Sequence, residues 1–214
     1  GFKGYLQTDG YAGYHNMPDV ILCGCWAHLR RKFDEALKGL PAKKRASGSR
    51  AQGAINQIRQ LFDIERQLKR CTPEERLTLR NQRSRKIVED FHEWLLDIRP
   101  GILPRSLLGT AVTYGLNQWE NLVRFLEDGR IELDNNRAER IIKQFVIGRK
   151  NWFFTNNPKG ARASATIYSI IETARENRLN PYAYLNHLFE ILPNLDSRDD
   201  ATLEALLPWN VKLP

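Results

Sequence analysis

The sequence predicts an α/β fold with a mostly helical middle and a helical carboxy-terminal part. Three observations carry that expectation. Two short apolar runs near the amino end are broken by Gly-containing turns, helical periodicity follows them, and the basic charge is confined to one block. The 214 residues suffice for one domain with an insertion. Hydrophobic residues make up 42% and charged residues 27%, as in an ordinary globular chain, and no apolar run approaches the roughly 20 residues of a membrane span.

"GYLQTDGYAGY" reads as a short strand ending at Asp9, then a turn. "VILCGCW", residues 20–26, is nearly continuously apolar, which suits a strand buried on both faces. Leu29, Phe33, Ala36 and Leu37 then fall at helical spacing, and Gly39 with Pro41 gives a stop. "AKKRASGSR", 42–50, is expected to be a flexible basic loop. "AINQIRQLFDIERQLKR" repeats apolar residues as a helix does, and Thr72-Pro73-Glu74-Glu75 opens a second helix, expected over roughly 73–97. From Leu29 to Asp90 there are seventeen Lys and Arg against eight Asp and Glu, although the whole chain carries only +8. Such a block suits an anionic partner, nucleic acid first.

After the Pro100–Pro104 break, Leu108, Val112, Leu116, Trp119, Val123 and Leu126 share one face of a long helix or two short ones, ended by Gly129. "RIELD" is a short strand or extended turn. "NNRAERIIKQFVIG" is a helix with Ala138, Ile141, Ile142 and Phe145 facing the core, and "NWFFT" is extended. A further helix presents Ala161, Ala165, Tyr168 and Ile171, and Asn180 caps the next, with Pro181 at its first position. The tail from Asp196 is acidic and irregular.

Asp9 stands at a strand end, where ligands of α/β proteins bind; it also precedes Gly10, where Asp commonly caps a turn. Glu139 is a lone acid among Arg137, Arg140, Lys143, Arg149 and Lys150. It could fold back on an Asn136 cap, pair with Lys143, or hold a hard cation completed by substrate phosphate. Cys23, Cys25 and His28 have a C-x-C-x-x-H spacing without a second ligand pair nearby, so burial in the strand competes with zinc. Three cysteines make no disulfide framework, and a reducing compartment is the default. Glu172 follows Ile170-Ile171 and is the second candidate for a metal-facing acid, because a carboxylate in a core needs a reason.

"LQTDGYAGY", "CWAHLRRKF", "LDNNRAERIIKQFVIGRKNWFF" and "GARASATIYSIIETARENRLNPYAYL" together resemble successive blocks of the insertion-sequence-66 family of bacterial transposases. The resemblance runs to about Pro193. It implies a partial ribonuclease H-like core over 1–40 and 105–193, a basic helical insertion over 41–104, and a tail over 194–214. It implies Mg²⁺ or Mn²⁺, and DNA cleavage and strand transfer at transposon ends. By motif, Asp9 matches the second Asp of an Asp-Asp-Glu triad and Glu139 its Glu, both as catalytic and metal-binding residues. The triad's first Asp and the family's amino-terminal DNA-binding region are expected upstream. The chain, which lacks an initiator Met, is therefore expected to be a piece of a longer protein and inactive by itself. His28, Arg30, Arg31, Arg140, Lys143, Arg149 and Lys150 are the expected DNA contacts, chosen on charge and position. A homo-oligomer in the active complex, helper proteins from the same element, and a bacterial cytoplasmic, nucleoid-associated location without a membrane complete the expectation.

Overall fold

The computed structural model describes residues 2–46, 48–152, 157–196 and 199–213; of Lys44, Ala46 and residues 149–152 it describes the backbone only. The chain divides into two compact units, Gly1–Arg137 and Ala138–Pro214.

The first unit opens with strands β1 (Gly4–Gln7) and β2 (Val20–Cys23). They pair in parallel with Gly4 opposite Val20 and Gln7 opposite Cys23. Parallel strands cannot be joined by a tight hairpin, and the connection here runs through a 3₁₀ turn, Ala12–Tyr14. Both strands are shorter than the sequence suggests. The ladder stops before Asp9, and Trp26 already belongs to helix α1 (Trp26–Lys38). β2 is not buried along its whole length: Ile21 is 40% exposed and pairs with Tyr5, itself exposed, while Cys23, two residues on along the same face, is buried. Among the described residues the sheet has two strands only.

Helices build the rest. After α1 come α2 (Ala42–Ala46), a single turn where a loop was expected, then α3 (Arg50–Gln67), α4 (Pro73–Arg83) and α5 (Arg85–Ile98). Ser49 caps α3 through the amide of Gln52. Thr72 and Glu75 form a reciprocal capping box on α4 with Pro73 at its first position, as the sequence signals there require. The expected helix over 73–97 is broken at Ser84, which is fully buried. α6 (Leu107–Asn117) and α7 (Trp119–Val123) divide the next periodic stretch in the same way. Residues 130–135 form no strand, though Ile131 and Leu133 are buried.

The basic middle of the chain is not a separate layer. α3 and α5 bring Ile55, Ile58, Leu61, Val88, Phe91 and Leu95 into the same core as Trp26, Leu29 and Phe33 of α1 and Leu122 and Phe125 beyond the insertion. Trp26 is its centre: fully buried, it donates its indole N–H to the Leu122 carbonyl at 2.8 Å and meets Phe91, Trp119 and Phe125 edge-on or tilted. Arg80 of α4 is also fully buried. Its guanidinium forms a fork with Glu65 of α3, 2.7 Å on each arm, and donates to the carbonyls of Phe125 and Asp128. A buried charge satisfied on every side ties the insertion to the segment that follows it. Gly129 allows the same approach from the other side, because a Cβ there would lie 1.8 Å from the Pro73 carbonyl oxygen.

The second unit contains α8 (Asn136–Trp152, beginning just before the unit boundary), α9 (Pro158–Glu176), α10 (Pro181–Ile191) and α11 (Asp200–Ala205). Asn180 caps α10, accepting from the amides of Tyr182 and Ala183. The tail, expected to be irregular, carries α11 and returns to the helices: Tyr184 donates its hydroxyl to the Leu206 carbonyl at 2.7 Å, and Leu206, Val211 and Leu213 pack on Ala174, Tyr184 and Leu188. The expected core face of α8 is only half buried. Ile141 and Phe145 are partly covered, Phe145 meeting Tyr168 edge-on, but Ala138 is exposed and Ile142 is 59% exposed. No described helix is long and apolar enough to cross a membrane.

Candidate functional site

Asp9 is set by the end of β1. The Thr8 amide extends the ladder by donating to the Cys23 carbonyl at 2.9 Å, and Thr8 is buried. Asp9 then leaves the sheet at the carboxyl end of a parallel strand, exposed to solvent. One carboxylate oxygen accepts from the Tyr11 amide at 3.0 Å. Gly10 turns the chain with φ +87°, and Cβ at that position would also crowd the Gln118 side chain. The Asp9 carbonyl is fixed by the hydroxyl of Tyr114 on α6, at 2.8 Å. Burial first, with the Cys25 sulfur and the Asp9 carboxylate nearby, pushes the Tyr114 phenol up to about 12, so it stays a neutral donor.

Glu139 is set by the segment before α8. The Trp26 amide donates to the Leu133 carbonyl, and the Asn135 amide to Cys25 Sγ at 3.4 Å. These contacts fix the Asp134-Asn135-Asn136 turn against the start of α1. The Asn136 amide donates to Asp134 Oδ1 at 3.0 Å, and α8 begins at Asn136 itself. Asp134 thus takes the amide that Glu139 would hold in a capping box around Asn136. Glu139 stands instead in the first helical turn, where the helix dipole favours an acid, and is half buried. Arg137, Arg140 and Lys143 around it are exposed. The Arg149 and Lys150 side chains lie outside the described residues. Asp9 belongs to the first unit and Glu139 to the second.

The other candidates separate clearly. Cys23 and Cys25 are buried, and burial pushes the Cys23 thiol from 9.0 to about 11 and raises that of Cys25. Zinc needs thiolates, so this environment works against it. Among the described residues no group of three His, Cys, Asp or Glu could hold a metal ion. Asp9 and Glu139 each present a carboxylate, a hard oxygen donor of the kind Mg²⁺ and Mn²⁺ prefer. Glu172 is buried because Arg175, one turn on, forms an ion pair with it, and Arg175 also reaches Gln144. The carboxylate in the core has a structural reason.

Of the expected DNA contacts, Arg30 and Arg31 are exposed on α1 and His28 is half buried there. Arg30 lies over the Phe62 ring, 5.5 Å from its centroid, and Arg30 and Arg31 line a cleft of about 710 Å³ together with Lys38, Arg59 and Asn136. Arg59 and Tyr114 were not singled out in the sequence. Arg59 is one of seventeen cations in the basic block, and Tyr114 reaches Asp9 across 105 residues, so no local spacing marks either.

Comparison with known proteins fits these blocks. The family model described as "Transposase IS66 family" matches residues 1–163, and the "IS66 C-terminal element" matches 169–209. Three proteins of Sinorhizobium fredii (strain NBRC 101917 / NGR234), named uncharacterized proteins y4hP, y4jD and y4qI, are 33%, 34% and 34% identical over 99% of this chain. The chain spans 40% to 42% of their length. No solved structure matches. With a family model covering well over half of its residues, the chain belongs to the IS66 family of transposases.

Proposed function

We infer that the chain is the catalytic part of a transposase, in which Asp9 and Glu139 serve metal-dependent cleavage and strand transfer of DNA at insertion-sequence ends. The observation that carries this reading is the position of Asp9: a solvent-facing carboxylate at the carboxyl end of a parallel strand, braced from behind by a neutral tyrosine. The order of elements supports a partial ribonuclease H-like core over 1–40 and 105–193, with 41–104 as a helical insertion and 194–214 as a tail. Mg²⁺ or Mn²⁺, when bound, would stabilise the attacking and leaving oxygens of an in-line displacement at phosphorus. The protein's own part is to hold and orient. The Tyr11 amide orients the Asp9 carboxylate through one of its oxygens, and Glu139 stands in the first turn of α8. His28, Arg30, Arg31, Arg140, Lys143, Arg149 and Lys150 would hold the DNA backbone; two or more copies of the chain, with helper proteins of the element, would form the active complex.

A second reading makes the chain a DNA- or partner-binding module without cleavage. It draws on the turn-capping bond from the Tyr11 amide to Asp9, which a purely structural Asp also makes.

The test is Mn²⁺-dependent nicking of supercoiled plasmid. It compares this chain with a version lengthened at its amino end to the size of the Sinorhizobium relatives, each with Asp9→Asn and Glu139→Gln. The account expects either substitution to abolish nicking in whichever form cuts. Full-rate cutting by the Glu139→Gln form would return Glu139 to a structural role.

A further inference from the structure

We propose that the cleft between α1 and α3 is a binding track for the sugar-phosphate backbone of DNA, with Arg59 of the helical insertion as one of its phosphate contacts. The proposal rests on the reading of the chain as a DNA-handling protein and gives the insertion a part in it.

Three observations lead there. The cleft is lined by Arg30, Arg31, Lys38 and Arg59, opposed by Asp34 and Glu35. Asp34 is already paired with Lys38 at 2.6 Å, which leaves three guanidiniums against one carboxylate. Next, Arg30 is held by the face of the Phe62 ring. The ring face helps to place the guanidinium at the cleft, and its planar fork of N–H donors suits phosphate oxygens. Finally, the lining runs along α1 from Ala27 to Lys38. That is about 16 Å of helix at the usual rise. It takes about two to three consecutive phosphates of one strand and exceeds what a mononucleotide needs.

The cleft also touches Asn136, the first residue of α8. A strand lying in it would therefore run to the beginning of the helix that carries Glu139. A protein partner with an acidic segment is the competing occupant. The arginine composition favours phosphate, since the guanidinium fork serves phosphate in two-point contacts.

The experiment is a salt titration of binding to a short fluorescein-labelled DNA duplex of arbitrary sequence, read by anisotropy, for the full chain and for Arg59→Gln, Arg59→Lys and Lys86→Gln. Lys86 is an exposed residue of α5 paired with Asp90 and does not line the cleft. If Arg59 contacts phosphate, Arg59→Gln lowers the slope of log affinity against log salt by about 0.9. Arg59→Lys retains that slope, and Lys86→Gln changes it by much less. Equal slopes for Arg59→Gln and Lys86→Gln would overturn the proposal, because they would show only the effect of net charge. Competition by a polyglutamate peptide as strong as that by DNA would overturn it in favour of a protein partner. A wild-type chain that binds no DNA at all would instead remove the DNA-handling reading beneath both.

Discussion

The two units differ in how they use their apolar residues. Among the described residues, the first is organised around large buried rings, with Trp26, Phe33, Phe91 and Phe125 in one cluster and a satisfied buried guanidinium, Arg80, beside them. The second closes on Ala174, Tyr184 and Leu188 and leaves Ile142, Val146, Ile147, Phe189 and Trp209 exposed. A small core holds its helices with little to spare, because hydrophobic stabilisation scales with buried area. The two proposed carboxylates are divided accordingly. Asp9 stands on the unit with the large-ring core and Glu139 on a helix of the unit with the small one.

The largest effect expected from this contrast is in the first unit. Trp26→Ala removes a fully buried ring and its bond to Leu122, at a cost of about 3–5 kcal/mol in urea unfolding followed by tryptophan fluorescence and circular dichroism. A cost under about 1 kcal/mol would mean that this core is not the main source of stability. Next is Arg80→Leu, which leaves the largely covered Glu65 carboxylate beside an apolar group. It should cost about 3–5 kcal/mol, and adding Glu65→Leu should recover most of the loss.

The next effect depends on pH. Cys23 has a folded-state pKa raised from 9.0 to about 11, so the fold favours the neutral thiol. Its contribution is fully present below about pH 9 and is lost as pH rises from 9 through 11, an amount of about 2 kcal/mol. The urea midpoint should fall across that window, and Cys23→Ala should flatten the fall. Tyr114, shifted from 10.0 to about 12, adds a later decline of the same sign. In the second unit Tyr184→Phe removes the bond to the Leu206 carbonyl, for about 1 kcal/mol. The smallest effect belongs to the exposed stripe of α8, where Ile142→Ser should change stability by under about 0.5 kcal/mol.

Local signals in the sequence located most helices, because capping chemistry acts over a few residues. Thr72-Pro73-Glu74-Glu75 and Asn180-Pro181 both begin helices where they promise to. What misled was tertiary. "VILCGCW" is apolar enough for a longer strand, but its indole is needed at the centre of the core, and the chain turns helical to place it there. "NNRAERIIKQF" has the apolar content of a packed helix, yet Ile142 stays in solvent. The exposed Ile21 and Tyr5 show the same on the sheet, where periodicity reports which residues could be covered and not what covers them. Of the proposed site, Asp9 and Glu139 stand out in the sequence as motifs, and Arg30 and Arg31 as charge. Tyr114, Arg59 and the Asp134 turn were not, since each acts through a partner far away in sequence or through a backbone amide that the sequence does not distinguish from others.

The claim that Asp9 and Glu139 serve one divalent ion is tested most directly by a double-mutant cycle on Mn²⁺ binding. Bound and free Mn²⁺ would be counted by electron paramagnetic resonance in the presence of a DNA duplex. If the two carboxylates share an ion, Asp9→Asn and Glu139→Gln each lose the tight site, and the double variant loses no more than either. If the losses add as independent terms, or if neither substitution changes Mn²⁺ affinity, the two residues do not form a common metal site and the catalytic reading fails.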